Sequence, residues 1–167
     1  MELTEIMQSF KSGDFARNNL FRVRIPHLGE TFEFKCRATT APPATLEKIP
    51  VAFMNRKINI AGDRTYDDWT VVIYNDDEHE TRDQLLQWQS DAHAMGNLIH
   101  GKAPAEYKHD AVIMQYNRAG EKTKEYTVVG AFPLVVGEIV LDWENNNEVQ
   151  TFECTIAIDW WTSEGIN

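Results

Sequence analysis

Most of the chain alternates apolar and polar residues with a period of two, which is the pattern of half-buried β-strands. In residues 20–25, Phe21, Val23 and Ile25 share one face and Arg22 and Arg24 the other. Pro26 closes this strand, because proline cannot donate to a ladder. His27-Leu28-Gly29-Glu30 reads as a turn, and residues 31–38 as the returning strand, with Phe32, Phe34 and Cys36 inward and Thr31, Glu33, Lys35 and Arg37 outward. Three prolines, Pro42, Pro43 and Pro50, mark an extended, irregular link. The longest alternating stretch is 49–75, predicted to form a long hairpin or arm. In it Met54, Arg56, Ile58 and Ile60 oppose Asn55, Lys57 and Asn59, and Trp69, Val71 and Ile73 resume the alternation. The reversal is placed at Ala61-Gly62-Asp63, where glycine supplies a positive φ without steric cost. Such an arm is either an ordinary surface hairpin or a contact to another chain, since its tip adds little to its own core.

One segment changes period. Leu85, Trp88, Ala92, Met95 and Ile99 are spaced three and four apart, which predicts a helix over 75–96. Asp77 followed by Glu80 makes an acidic variant of the capping box, and Gly96 is the expected stop. A second, short helix is predicted over 1–12, capped by Thr4. Further on, 111–117 and 124–130 form a hairpin around Arg118-Ala119-Gly120-Glu121, and Pro133 and Gly137 break the chain. Residues 138–143 and 149–160 form the last hairpin, turned by the asparagines 145–147. The final strand carries Phe152, Cys154, Ile156, Ile158 and Trp160 on one face and Thr151, Glu153, Thr155, Ala157 and Asp159 on the other. About seven strands with short connections favour antiparallel pairing. The expected fold is mainly β (α+β): an antiparallel β-sandwich or half-open barrel with one flanking α-helix. It forms a single domain over 1–167, with an N-terminal segment 1–19, an extended hairpin arm 40–75 and a C-terminal tail 162–167.

Composition adds limits to this picture. The chain has 167 residues, of which 43% are hydrophobic, enough for a packed core. The formal charge of −10 argues against tight nucleic-acid binding, which needs clustered cations to displace counterions. It suits contact with nucleic acid that must pass without sticking. The start of the chain lacks the pattern of a secretory signal, so a cytosolic setting is expected. The two cysteines, Cys36 and Cys154, read as buried small hydrophobes, with a disulfide between sheets as the other reading.

Candidate chemistry is sparse. Five histidines are present, but none forms HExxH, and no matching cysteine or carboxylate spacing suggests a metal site. Asp67-Asp68 and the cluster Asp76-Asp77-Glu78-Glu80 could in principle supply an acid/base pair. The second cluster is explained better as charge at a helix N-terminus. GxSxG, Walker A and GxGxxG motifs are missing, so neither an enzyme nor a bound cofactor is expected. Several strands carry apolar residues on both faces: Val72 and Tyr74 lie opposite Trp69, Val71 and Ile73, and Trp160 and Trp161 point to opposite sides. One small sandwich cannot bury both faces of so many strands. Either the helix and loops cover the second face or neighbouring copies do, and head-to-tail pairing by a closing rotation makes a ring. A competing class is a small carbohydrate-binding or hydrolytic β-sandwich using exposed aromatics such as Trp160 and Trp161.

Four stretches narrow the choice: SGDFARNNLFRVRI, EKIPVAFMNRKINIAGDRTYDDWTVVIYND, GKAPAEYKHDAVIMQY and VGEIVLDWENNNEVQTFECTIAIDWW. In order and spacing they resemble the tail tube proteins of contractile-tailed bacteriophages of the T4 type, from about Ser12 to Trp161. MNRKINIAGDRTYDDW and LDWENNNEVQTFE are the most specific parts. The resemblance implies a structural, non-catalytic virion protein, assembled in the host cytoplasm. It implies hexameric rings that stack into a hollow tube, a conduit for genome delivery. The implied partners are the tail sheath, the baseplate, the tail terminator, the tape-measure protein in the lumen, and DNA in transit without specific binding. The alternative is the tube of a type VI secretion system or contractile bacteriocin. Within that frame Met54, Arg56, Lys57, Ile60, Gly62, Asp63, Arg64 and Trp69 are expected at contacts between subunits. Thr31, Glu33 and Lys35, or Thr151, Glu153 and Thr155, are expected to face the lumen.

Overall fold

A computed structural model describes residues 15–166. The helix expected over 1–12 lies outside the described residues. The described residues form nine strands: β1 (Phe21–Arg24), β2 (Cys36–Thr39), β3 (Ala44–Phe53), β4 (Arg56–Tyr66), β5 (Trp69–Tyr74), β6 (His109–Tyr116), β7 (Lys122–Val136), β8 (Thr151–Ala157) and β9 (Trp160–Ser163). Three α-helical segments accompany them: α1 (Phe32–Lys35), α2 (Glu80–Ala92) and α3 (Pro104–Tyr107).

Seven strands form one antiparallel sheet in the order β1-β6-β7-β8-β5-β2, with β9 also paired to β7. The 15-residue β7 joins its two halves. Its first part pairs with β6 and β9 and its last part with β8, as in Val128 opposite Ala111 and Phe132 opposite Ala157. The crossing point is Gly130, at φ 69°. A Cβ there would strike the Asp159 carboxylate, which is held in turn by Lys108 at 2.8 Å. β7 runs through Pro133, where a break was expected, because a register shift between Pro133 and Val135 absorbs the missing donor. The folded sheet encloses a core of Val23, Ile25, Trp69, Val71, Ile73, Ile113, Val128, Phe152, Cys154 and Ile156. α2 packs on β7 and adds Leu85 and Trp88. The sheet does not close: β1 and β2 end its main path, and β9, paired only with β7 among the strands, is a third edge. The half-open architecture expected from the alternation is therefore observed.

Several predicted pairings are not. β1 pairs with β6, and β2 with β5, so residues 20–38 do not form a hairpin. Residues 32–35 make a helical turn instead of a strand. Phe32 is buried as expected, but Phe34 is exposed, because a turn of helix cannot hold residues i and i+2 on one side. α2 is shorter than predicted. It starts at Glu80 behind His79, which sits in the left-handed region at φ 55° with no side-chain cap. The carboxylate nearest to a capping role is Asp76, not Asp77: Asp76 Oδ1 accepts the Thr81 N–H at 3.4 Å. Met95 and Ile99 fall beyond the helix and are exposed. The last predicted hairpin loses its first strand, since residues 137–150 contain no strand, and β8 pairs with β5 and β7. The presumed tail 162–167 begins inside β9, whose Thr162 lies opposite Thr127. Both cysteines are free, and burial pushes both thiols up to about 12.

Candidate assembly surface

The arm is a two-stranded sheet of its own, β3 against β4. It reverses at Met54-Asn55, not at Ala61-Gly62-Asp63. Both residues have positive φ, 42° and 62°, the backbone of a tight two-residue hairpin turn whose twist matches the flanking strands. Asparagine favours that region; methionine does not, and sequence pattern alone missed the turn for this reason. Gly62 has another role. It lies in β4 beside a register shift, where a Cβ would sit 3.1 Å from the Glu47 carbonyl oxygen. β5 is a separate strand in the main sheet, so the arm comprises 44–66 rather than 40–75.

Register assigns the two faces of the arm. Ile49 lies opposite Ile60, and Val51 opposite Ile58, with Phe53 continuing the row against Arg56. The other face pairs Pro50 with Asn59 and Ala52 with Lys57. An apolar stripe thus runs along one side, and every residue in it is exposed, from 46% for Val51 to 61% for Phe53. Isolated two-stranded hairpins are marginal in water. This one is held at its base: the Trp161 indole N–H donates to the Pro43 carbonyl at 3.2 Å, and Tyr66 meets the Trp161 ring edge-on.

Six of the eight residues expected at contacts, Met54, Arg56, Lys57, Ile60, Asp63 and Arg64, are exposed on the arm, and Gly62 is half-buried there. Trp69 is the exception. It is fully buried in the core, and its indole N–H donates to Thr39 Oγ1 at 2.7 Å and to the Thr40 carbonyl at 3.1 Å. It anchors β2 and the start of the arm, and is no contact residue.

The two trios expected at a lumen diverge. Glu33 accepts from Arg24 Nε at 2.6 Å, and Lys35 Nζ donates to Thr81 Oγ1 at 2.8 Å and lies 3.3 Å from Asp76. Those side chains tie α1 to β1 and to the start of α2, and with Thr31 they do not form a strand face. Thr151, Glu153 and Thr155 do share one face of β8, opposite Phe152, Cys154 and Ile156. Across the ladder stand Tyr74, Val72 and Thr70, giving a wide sheet face with Glu153 and Tyr74 exposed.

A second apolar surface escaped the sequence reading. Residues 137–150, between β7 and β8, leave Val140, Leu141, Trp143 and Val149 between 68% and 101% exposed. The signal was available: Ile139, Val140 and Leu141 are consecutive, and consecutive apolar residues cannot all point to one side of a strand. Arg82 Nη1 donates to the Gly137 carbonyl at 2.6 Å, and Asn75 N–H to the Gln150 carbonyl at 2.9 Å, so both ends of the loop are fixed. Beside α2, His27 stacks on His109 at 3.9 Å and lies 4.9 Å from Trp88; burial lowers its pKa, with help from His109. Among the described residues no group of three His, Cys, Asp or Glu converges as metal ligands would.

The surface is built for contact, with an arm, an apolar loop and open strand edges. Comparison with known proteins agrees. The family model for phage tail tube proteins matches residues 7–164. Tail tube protein gp19 of Enterobacteria phage T4 is 54% identical over 162 residues, covering 96% of this chain and 99% of that protein. Its counterpart from Enterobacteria phage T6 matches to the same extent. The fold is shared with a chain of the sheath-tube complex of an extracellular contractile injection system, at a TM-score of 0.65 and 15% identity over 93% of this chain and 95% of that one. The chain belongs to the phage tail tube protein family and is a structural component of a contractile phage tail.

Proposed function

We propose that six copies close into a ring and that rings stack into a hollow tube through which the genome is delivered. The observation that carries this reading is the arm, a 44–66 hairpin whose apolar stripe is left about half exposed by the described residues. Neighbouring copies cover that stripe, through Met54, Arg56, Lys57 and Ile60 at the tip and Gly62, Asp63 and Arg64 further down. The edges β1 and β2, each paired on one side only, join adjacent sheets into a continuous barrel. Thr151, Glu153 and Thr155 face the lumen, where polar groups hold water. A charge of −10 per copy keeps DNA from adhering. The role is mechanical and involves no catalysis. The sheath surrounds the tube, the baseplate nucleates it, the terminator caps it, and the tape-measure protein fills it before ejection. Negative-stain electron microscopy over a concentration series, with and without baseplates, tests the reading. Hollow stacked rings with six-fold end views are expected; only dispersed monomers even on added baseplates would refute it.

A further inference from the structure

The arm and the 137–150 loop stand at opposite ends of the same strand pair. The arm enters β5 at Trp69, while the loop enters β8 at Thr151, opposite Tyr74 at the far end of β5. Six residues of β5 separate them, about 17 Å at ~3.3 Å per residue. Each is apolar and exposed, and the charges are opposite. The arm carries Lys48, Arg56, Lys57 and Arg64 against Glu47 and Asp63, a net +2 in a chain of net −10. The loop carries Glu138, Asp142, Glu144 and Glu148 and no Lys or Arg. It also forms a concave pocket in which Val140, Leu141 and Val149 stand beside the polar Asp142, Asn145 and Glu148. The most exposed apolar side chain of the arm is Met54 at its tip, 84% exposed beside Phe53.

We infer that the 137–150 loop is the receiving surface for the arm of a second copy, in a head-to-tail contact along the tube axis. Met54 and Phe53 enter the pocket against Val140, Leu141 and Val149, and Arg56 and Lys57 face the acidic rim at Glu144 and Glu148. The occupant is a second copy because one chain presents both complementary surfaces at opposite poles. A heterologous contact of that kind propagates without closing and builds a stack. The arm leaves the protomer at the pole opposite the loop, where Trp161 of β9 holds its base. The inference rests on the tube reading above and adds to it the identity of the arm's partner surface.

Charge reversal tests the pairing in the full-length protein on baseplates, with tube yield measured by pelleting and microscopy. Arg56→Glu with Lys57→Glu, and separately Glu144→Lys with Glu148→Lys, should each lower yield at least tenfold. The four substitutions together should restore it to within about threefold of the wild type. All four side chains are exposed, so circular dichroism melts of the monomers should match the wild type and separate assembly defects from misfolding. Wild-type yield from either reversed pair, or a combination as poor as the separate pairs, overturns the inference while leaving the tube reading intact. Failure of the wild type itself to form tubes overturns both.

Discussion

Two isoleucines separate the core from the assembly surface. Ile73 is fully buried on β5, while Ile58 on the arm is 56% exposed. Truncating Ile73 to alanine removes atoms from a packed interior and leaves a cavity, a loss of about 2–5 kcal/mol. For a domain of this size that lowers the melting temperature by roughly 10 °C. Ile58→Ala removes little from the monomer, about 0.5 kcal/mol or less, because most of its side chain is already in water. In the assembled state the exposed half becomes covered. Full burial of such a side chain contributes about 1.5–3 kcal/mol, so half contributes on the order of 1 kcal/mol per copy. A loss of that size raises the critical concentration for assembly about fivefold. Thermal melts followed by circular dichroism and pelleting across a concentration series read the two effects separately. The reasoning fails if Ile58→Ala lowers the melting temperature as much as Ile73→Ala, or if it leaves the critical concentration unchanged.

Three further outcomes follow from the geometry. Trp69→Phe keeps the apolar bulk but removes the donor to Thr39 and Thr40, so urea denaturation should show a loss of about 1–2 kcal/mol with no change in slope. His27 has a pKa held below its ordinary value by burial. The folded state therefore binds a proton less readily than the unfolded chain, and stability present above pH 6.5 is lost as the pH falls below it; melts between pH 7.5 and 5 should show this slope, reduced in His27→Gln. The thiols of Cys36 and Cys154, raised to about 12, should resist alkylation at pH 8 and react rapidly only in denaturant, as mass spectrometry will show.

Alternation made much of this fold legible. Trp69, Val71 and Ile73, like Phe152, Cys154 and Ile156, are buried at every second position because β5 and β8 each put one face on the core. Pairing partners were not legible. Two neighbouring runs with a turn between them look like a hairpin, but β1 and β2 lie at opposite edges of the sheet and are brought there by long-range contacts with β6 and β5. The arm was read as an arm but turned at the wrong place. Gly62 looked like the reversal, whereas its missing Cβ serves close backbone approach at a bulge. Trp69 was expected at contacts as part of a 40–75 arm; its indole instead fills the core. Residues 138–143 read as a strand because they are largely apolar, and apolar content alone does not say whether a segment is covered by its own chain or by another.

The central claim is that assembly, not the protomer's own core, covers the apolar surface of the arm and the loop. Hydrogen–deuterium exchange of free and tube-assembled protein measures this directly. Amides of 44–66 and 137–150 should exchange rapidly in the monomer and become protected in the tube, with β5 and β8 protected in both. Tubes in which 44–66 exchanges as fast as in the monomer would contradict the account.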